Sequence, residues 1–404
     1  MIIQLPEDVR TIIRKLTEYG YEAYAVGGCV RDSIIHRVPG DWDITTSAKP
    51  WEVKALFRRT IDTGIAHGTV TVMLGDSGYE VTTYRIDGEY EDSRHPKSVE
   101  FTALLSEDLC RRDFTINAMA YNEEEGLVDL FGGREDLEAG IIRCVGEARE
   151  RFTEDALRML RAVRFSAQLG YSIETKTCEA IRELAPTISK ISKERIHTEL
   201  NKILMSKHPE YLRVVKELGI AEVVFKAAVQ IDNFDEAMEL LKIVPQEIAY
   251  KYAAVLYGVG HTEAARQLRE LKLDNNTIDL ASALIRMHGM EVTEDVVTIR
   301  KQASQYGVLL YAKALEFEKL FYRVRNDTVN ENIIVKQQEI FEEILKRGDC
   351  LTIKELDVNG EDLMDNGVPQ GTELGRILKE MLEDVLEHPE NNKKEYLLAN
   401  HLHI

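Results

Sequence analysis

The stretch Gly27-Gly28-Cys29-Val30-Arg31-Asp32, followed by Gly40-Asp41-Trp42-Asp43-Ile44, decides the fold of this chain. We predict a β-strand over residues 42–45. Side chains two residues apart in a strand point to the same side, so Asp41 and Asp43 should project together. Two converging carboxylates repel each other, and the repulsion grows as they lose solvent. The pair becomes favourable beside a hard cation, and Mg²⁺ is typically held by one or two carboxylates together with substrate phosphates.

The residues around the glycine pair predict a phosphate site. Residues 24–26 have the pattern of a short buried strand, Gly27-Gly28 that of a turn, and residues 30–36 that of a helix. Backbone N–H groups at such a turn and helix start bind anions, and Arg31 adds a fixed positive charge. Asp-x-Asp or Gly-Gly alone is common in turns, so the prediction rests on their combination.

These two motifs resemble the first motif of the class II tRNA nucleotidyltransferases. That group belongs to the polymerase β superfamily and includes CCA-adding enzymes and bacterial poly(A) polymerases. The resemblance covers residues 20–204 strongly and the remainder weakly. It implies an α+β fold, in which a polymerase β-like nucleotidyltransferase head with a mixed or antiparallel sheet precedes an all-α neck, body and tail. It also implies that Asp41 and Asp43 hold two magnesium ions.

Composition excludes several other classes. A chain of 404 residues with 44% hydrophobic and 30% charged residues is an ordinary globular protein of more than one domain. No run approaches the roughly 18 apolar residues of a membrane helix, and the N-terminus lacks a signal peptide's apolar stretch. Five dispersed cysteines predict reduced thiols and hence a cytoplasmic protein. The net charge of −19 argues against indiscriminate nucleic-acid binding, which depends on phosphate neutralisation.

Hydrophobic periodicity changes near residue 137. Strand patterns lie at residues 24–26, 42–45, 69–74, 79–84, 99–102 and 118–121, and helical patterns at residues 8–19, 30–36 and 51–57. Beyond residue 137, apolar residues recur at spacings of three and four residues, which is typical of helices. We predict a head at residues 1–136, a base-selecting neck at 137–204, a body at 205–330 and a tRNA-contacting tail at 331–404.

Two further features of the head gain a role from the resemblance. Glu80 lies in an alternating strand pattern, where an exposed carboxylate is the default. In the family, an acidic residue here completes the catalytic carboxylate set. Residues 87–96 have the composition of a surface loop, and they are similar to the flexible segment kept by enzymes that add the terminal A. We therefore expect competence for A addition.

The string Arg111-Arg112-Asp113-Phe114-Thr115-Ile116-Asn117 forms the next motif. Adjacent arginines are usually solvated, but this string resembles the family's site for nucleotide sugar and phosphate. The resemblance implies that Arg112 holds phosphate. It also implies that Asp113 and Asn117 bond the ribose or support the loop.

Asp155 and Arg158 lie three residues apart in a helical pattern and should share a face. Taken alone, the spacing favours an ordinary intrahelical ion pair. Arg158 is donor-only and Asp155 acceptor-only. Together they match the hydrogen-bonding pattern that cytosine and adenine share, in which an amino donor lies beside a ring acceptor on the Watson–Crick edge. Uracil and guanine would leave buried groups unpaired. The family uses this Asp and Arg as an amino-acid template, with Arg161 and Arg164 positioned for triphosphate or the other edge of the base.

Three later segments carry weaker signals. Residues 193–202 resemble the family's last conserved block, for which we expect a bracing role only. Some relatives carry a His-Asp metal pair where this chain has Tyr257-Gly258, and the sequence contains no His-Asp dipeptide, so we expect no phosphohydrolase activity. Residues 358–385 resemble the tRNA-contacting tail, although a plain loop-to-helix junction fits equally well.

The sequence therefore predicts a nucleotidyltransferase that builds or completes the 3′-CCA of tRNA from CTP and ATP without a template. The predicted site residues are Asp41 and Asp43 for metal, Glu80 as third carboxylate, Gly28, Arg31 and Arg112 for phosphate, Asp113 and Asn117 for ribose, and Asp155, Arg158, Arg161 and Arg164 for the base. An A-adding-only enzyme and a bacterial poly(A) polymerase are the near alternatives. A non-catalytic tRNA-binding protein is the alternative of another class, which clustered carboxylates facing RNA disfavour. The oligomeric state stays open.

Overall fold

The computed structural model of the chain describes residues 2–87, 99–226 and 233–402. The chain divides into two compact units, residues 1–229 with 270–272 and residues 230–269 with 273–404. The division into head, neck, body and tail stays a prediction. Most of the segment 87–96 lies outside the described residues.

The first unit contains a seven-stranded sheet in the order β3-β4-β5-β2-β1-β8-β9. Its strands are β1 Ala23–Val26, β2 Ile44–Thr46, β3 Thr60–Gly64, β4 Thr69–Leu74, β5 Ser77–Thr83, β8 Met119–Asn122 and β9 Gly126–Asp129. Only β2 and β5 are parallel, and the other neighbours in this sheet are antiparallel. The mixed sheet predicted from the sequence is therefore confirmed. Two small pairs accompany it: β6 Arg85–Asp87 with β7 Val99–Phe101, and β10 Ile141–Ile142 with β11 Ser172–Ile173.

β1 is an interior strand of the sheet. All four of its residues are buried, because β2 and β8 flank it and both of its faces are covered. The helices of this unit are α1 Glu7–Glu18, α2 Gly28–Ile34, α3 Pro50–Leu56, α4 Leu105–Cys110, α5 Gly133–Ala139, α6 Ala148–Glu154, α7 Leu157–Leu169, α8 Thr175–Leu184, α9 Lys193–Leu204, α10 Leu212–Glu217 and α11 Ala221–Val224.

The second unit is helical throughout its described residues, as predicted for this half of the chain. Its helices are α12 Phe234–Ile243, α13 Ile248–Leu256, α14 His261–Glu270, α15 Asn275–Met287, α16 Val296–Tyr306, α17 Val308–Val324, α18 Thr328–Arg347, α19 Gly360–Asp365, α20 Thr372–Glu387 and α21 Lys394–His401. Lys251 lies in its core, where its Nζ donates to the carbonyls of Leu241 (2.9 Å) and Val244 (3.3 Å). Along the stretches that the structure describes, none of the helices combines the length and the apolar character needed to span a bilayer.

One strand boundary differs from the prediction in a way that affects the site. β2 begins at Ile44, so Asp41 and Asp43 precede the strand instead of lying within or beside it. The reason is the end of the neighbouring strand. Val26 donates its backbone N–H to the carbonyl of Asp43 (3.0 Å), and β1 then leaves the sheet at the Gly27 turn. Residues 41 and 42 consequently have no partner strand.

Candidate active site

A cavity of about 660 Å³ lies at the end of the parallel strand pair. It is lined by residues 40–43, which lead into β2, and by residues 77–80 of β5. Because Ile44 is paired with Val81 in the parallel ladder, the preceding residues Asp43 and Glu80 are neighbours. Asp41 lines the same cavity, so the structure brings the three predicted carboxylates together.

The carboxylates interact electrostatically. Loss of solvent raises the pKa of Asp43, Glu80 and Asp41 raise it further, and the guanidinium of Arg112 opposes the shift. Crowded negative charge of this kind disfavours ionisation unless a cation compensates it. Trp42 lines this cavity and also a second groove next to it.

Gly27 connects the carboxylates to the phosphate residues. Its φ of +81° is favourable for glycine, and a Cβ built on it would lie 2.9 Å from Nη1 of Arg112. The guanidinium of Arg112 thus packs directly on the turn that precedes α2. Its Nη2 lies 3.4 Å from Oδ2 of the buried Asp108, and its buried Nε has no partner among the described residues. An orphaned donor beside a glycine turn is suited to an anion such as phosphate.

A chain of polar contacts runs from α2 to α7. Arg31 donates from Nη1 to Oδ1 of Asn117 (2.7 Å), and Asn117 donates from Nδ2 to Oδ1 of Asp113 (3.1 Å). Arg161 then holds Oδ2 of Asp113 with Nε (2.8 Å) and Nη2 (2.6 Å). Burial alone would raise the pKa of Asp113, but the charge of Arg161 and the bonds from Asn117 and Arg161 hold it well below the usual range. Asp113 and Asn117 therefore support the arginines on both sides of them.

Three of the predicted arginines pack around the ring of Phe165. The guanidinium carbons of Arg31, Arg161 and Arg164 lie 5.1, 5.5 and 4.0 Å from its ring centroid. Arg164 is buried, and its Nε lies 3.1 Å from Oε2 of Glu199 in α9. Burial, with the nearby charge of Arg161, lowers the pKa of Arg164 to about 10. The cluster concentrates positive charge beside the Asp113 network.

The two predicted base-selecting residues do not lie on one helix. α6 ends at Glu154, Asp155 has an extended backbone (φ −141°, ψ 103°), and α7 begins at Leu157. The expected shared helical face is therefore wrong. The helix breaks because Oδ1 of Asp155 accepts the backbone N–H of Leu157 (3.0 Å) while Oδ2 accepts Nη2 of Arg195 (2.7 Å).

Arg158 is likewise held by other groups. Its Nη1 donates to Oε2 of Glu154 (2.6 Å) and to the carbonyl of Arg151 (3.3 Å), and its Nη2 donates to the carbonyl of Arg111 (3.0 Å). Sequence reasoning missed the partners Glu154, Arg195 and Glu199. Arg195 and Glu199 are four residues apart in α9, and that spacing was the available signal that both face α7.

Family models match most of the chain. Models described as the poly A polymerase head domain, an RNA- and SrmB-binding site of polymerase A, and tRNA nucleotidyltransferase domain 2 match residues 23–143, 170–231 and 244–400. The first of these covers the sheet, the cavity and the arginine network. The chain is a nucleotidyltransferase whose head is of the poly(A) polymerase type.

Individual relatives narrow this class. The CCA-adding enzyme of Limosilactobacillus reuteri is 48% identical over 248 residues, which is 61% of either chain. That of Ligilactobacillus salivarius is 35% identical over 99% of this chain and 98% of its own length. The solved structure of the Bacillus stearothermophilus CCA-adding enzyme in complex with CTP matches with a TM-score of 0.78 and 34% identity, covering 98% of both chains. The chain belongs to the family of CCA-adding enzymes.

Nucleotidyltransferases of this superfamily normally use divalent metal ions. Carboxylate oxygens are the donors that hard cations prefer, and Asp41 and Asp43 supply them at the cavity. Within residues 2–87, 99–226 and 233–402, no group of three or more His, Cys, Asp or Glu could hold a metal ion. Two carboxylates suffice for Mg²⁺ where substrate phosphates provide the other ligands.

Proposed function

We propose that the chain builds or completes the 3′-terminal CCA of tRNA from CTP and ATP, without a nucleic-acid template. The observation that carries this proposal is the cavity where Asp41, Asp43 and Glu80 meet, next to the Gly27 turn and Arg112. The relative of known structure binds CTP, and its likeness to this chain extends over nearly all of both chains. We place the enzyme in the cytoplasm, since all five cysteines are free thiols.

In the proposed reaction, the 3′-hydroxyl oxygen of tRNA forms a bond to the α-phosphorus of the nucleotide. The hydroxyl proton is lost to solvent, the bond between the α-phosphorus and the α,β-bridging oxygen breaks, and pyrophosphate leaves with the electron pair of that bond. Magnesium held by Asp41 and Asp43 would supply activation of the hydroxyl and stabilisation of the leaving oxygens. Glu80 contributes the third carboxylate of the cavity, next to Asp43 across the parallel strands.

The nucleotide phosphates would lie against Gly28, Arg31 and Arg112. The buried Nε of Arg112, which has no partner within the described ranges, is a ready donor for a phosphate oxygen. Arg31 is oriented by its hydrogen bonds to Asn117 and Asp32, so the other N–H groups of its guanidinium are held in a fixed position. Fixed donors lose little conformational freedom on binding, which favours positioning of the triphosphate.

Base selection would rest on Asp155 and Arg158, each of which is held by a neighbouring side chain. Arg195 donates to Oδ2 of Asp155, and Glu154 accepts from Nη1 of Arg158. Cytosine and adenine offer both an amino donor for Asp155 and a ring acceptor for Arg158. Uracil and guanine offer neither in the right place and leave charged groups unpaired. Arg161 and Arg164 support the site through Asp113 and Phe165.

The proposal is tested by extending tRNA transcripts that end before CCA, after C and after CC. CTP and ATP are supplied separately and together, and products are separated on a sequencing gel. Completion of all three transcripts to CCA is expected. Extension only of the transcript ending in CC would indicate an A-adding enzyme, and continued A addition a poly(A) polymerase. Absence of any extension would leave a non-catalytic tRNA-binding protein.

Replacement of one cavity carboxylate tests the metal assignment. Asp41→Ala should abolish nucleotide addition while changing the free energy of unfolding by no more than about 0.5 kcal/mol, because the side chain is exposed. The matched control is Asp76→Ala, which removes an exposed carboxylate from the turn between β4 and β5. Near-normal turnover of the Asp41 variant would remove the metal role.

A further inference from the structure

Asp108, a carboxylate of α4, lies behind the phosphate residues and takes no part in the proposed reaction. Its side chain has an exposed fraction of 0%. Carboxylates are seldom buried this completely unless they are paired with cations and hydrogen-bonded. Burial alone would raise the pKa of Asp108, but the charges of Arg111 and Arg112 and the bonds from Arg111 and Thr45 hold it below its ordinary value. The group is therefore ionised at neutral pH.

The two oxygens of Asp108 hold different parts of the site. Oδ1 accepts Nε (3.0 Å) and Nη2 (2.7 Å) of Arg111. Oδ2 accepts the hydroxyl of Thr45 in β2 (3.1 Å) and lies 3.4 Å from Nη2 of Arg112. Thr45 is two residues beyond Asp43. One oxygen atom thus connects the strand that follows the predicted metal carboxylates with the guanidinium that is predicted to hold phosphate.

The guanidinium of Arg112 is restrained from two sides. Its Nη1 packs on the Gly27 turn, where a Cβ would lie 2.9 Å away, and its Nη2 faces Asp108. Its buried Nε has no partner among the described residues. Because a guanidinium is planar and rigid, restraint of two nitrogens also fixes the direction of the third N–H. A donor whose direction is fixed before binding loses little conformational freedom when a phosphate arrives.

We propose that Asp108 is a positioning residue, which acts through Arg112 to orient its guanidinium for the phosphates of the nucleotide. The identity of the nucleotide rests on the proposed function, whereas the contacts of Asp108 do not. A carboxylate at this place could also act by neutralising the charge of Arg112, and the two effects have opposite signs. Loss of a neutralising charge would strengthen phosphate binding, whereas loss of a positioning contact would weaken it.

The full-length variant Asp108→Asn separates the two effects. Asparagine keeps the shape of aspartate but replaces one acceptor oxygen by an N–H donor, so it cannot accept from Arg111 and Arg112 together. Isothermal titration with inorganic pyrophosphate and magnesium should show binding weakened on the order of tenfold. The KM for CTP and for ATP should rise by a similar factor, while kcat and the KM for tRNA change little. Tighter or unchanged binding of pyrophosphate overturns the proposal.

A double-mutant cycle tests whether the effect passes through Arg112. In an Arg112→Met background, Asp108→Asn should cause no further loss of pyrophosphate affinity, and an equal further loss overturns the proposal. The matched control is Asp349→Asn in the second unit, which removes a nearly buried carboxylate that lies 2.7 Å from Nε of Arg300 and 3.1 Å from Nη2 of Arg347. This control should bind pyrophosphate normally. A loss equal to that of Asp108→Asn would reveal a general effect of lowered stability and would also overturn the proposal.

Thr45→Val keeps the proposal testable if Asp108→Asn does not fold. It removes the hydroxyl that donates to Oδ2 of Asp108 and leaves every charge in place. Its pyrophosphate affinity should fall about threefold, as expected for one hydrogen bond, and an unchanged affinity overturns the proposal. If the unmodified enzyme extends no tRNA, the proposed function fails, whereas the pyrophosphate measurements still decide the role of Asp108.

Discussion

At the residue scale, Gly27 determines how closely Arg112 approaches the turn before α2. Replacement by alanine combines two costs: a φ of +81° that L-residues rarely adopt, and a Cβ 2.9 Å from Nη1 of Arg112. Gly27→Ala should lower the free energy of unfolding by about 1–3 kcal/mol. It should also raise KM for both nucleotides, because Arg112 must move away from the phosphates.

The measurements are urea unfolding and steady-state kinetics. Gly375→Ala is the control, because that position has open space around its Cβ. A Gly27→Ala enzyme with unchanged stability and unchanged KM would show that the turn does not fix Arg112.

A second prediction for a single residue concerns Asp113 and the pH dependence of the free energy of unfolding. Its pKa is depressed in the folded protein, so its ionised form stabilises the fold above the unfolded value of about 4, and this contribution is lost as the pH falls below that value. Asp113→Asn removes the negative charge whose Oδ2 accepts both Nε and Nη2 of Arg161, a partly exposed side chain, and should cost about 1–3 kcal/mol at pH 7. The variant should lose less stability than the wild type between pH 6 and pH 3.

Urea unfolding at several pH values checks this expectation. Asp76→Asn serves as the control, because it changes an exposed carboxylate outside the network. Parallel pH profiles for the wild type and Asp113→Asn would contradict the assignment.

At the scale of single elements, α9 is the support of the base-selecting residues. Arg195 holds Asp155, and Glu199 lies against Arg164, so one helix positions two of the predicted contacts. Arg195→Ala should reduce discrimination against UTP and GTP by about 1–3 kcal/mol, because Asp155 is no longer oriented. Arg195→Lys should restore part of it. Merely structural damage would instead lower turnover with all nucleotides alike.

Misincorporation assays with each nucleotide in turn provide the measurement. Arg182→Ala is the matched control, since Arg182 is an exposed arginine of α8 outside this network. Unchanged selectivity in Arg195→Ala would exclude a positioning role for α9.

The same elements show which parts of the structure were predictable. β4 was predicted at its observed bounds, Thr69–Leu74, because its alternation is local and regular. β3 was not predicted, because Thr60–Gly64 is mostly polar and exposed and forms only through pairing with β4. The break between α6 and α7 at Asp155 also escaped prediction, since Glu154-Asp155-Ala156 contains no helix-breaking residue. Asp155 is held by the backbone of Leu157 and by Arg195 of the distant α9, and the second contact depends on the tertiary fold.

The sequence predicted which residues belong to the candidate site from their residue types, but it did not predict the contacts that these residues make. Asp41, Asp43 and Glu80 line one cavity, and their role there stays a prediction, whereas the start of β2 was misplaced. Arg112 was predicted to lie near phosphate, and the Gly27 turn lies against it. The partners of Arg158 were not predictable, because carbonyl groups accept hydrogen bonds whatever side chain their residues carry.

At the scale of the whole molecule, the division into two compact units has a thermodynamic consequence. Each unit has buried residues of its own, for example Ile12 in the first and Phe317 in the second. Unfolding should therefore depart from two-state behaviour, with a calorimetric enthalpy larger than the van't Hoff enthalpy. Ile12→Ala and Phe317→Ala should each cost about 2–5 kcal/mol and shift different transitions.

Differential scanning calorimetry of the wild type and both variants checks this prediction. An exposed substitution such as Asp76→Ala should shift neither transition measurably. A single two-state transition that moves equally in both core variants would show that the units unfold together.

The cysteines of the chain offer a chemical route to observing the site. Burial raises the pKa of the Cys29 and Cys350 thiols to about 11 and also raises the pKa of Cys144 and Cys178, so these four react slowly with maleimides. Cys110 is exposed, and its carbonyl accepts a hydrogen bond from Arg151 (3.3 Å) next to the residues that hold Arg158. A fluorophore attached to Cys110 would therefore report nucleotide binding in real time, and it would need no substitution in the chain.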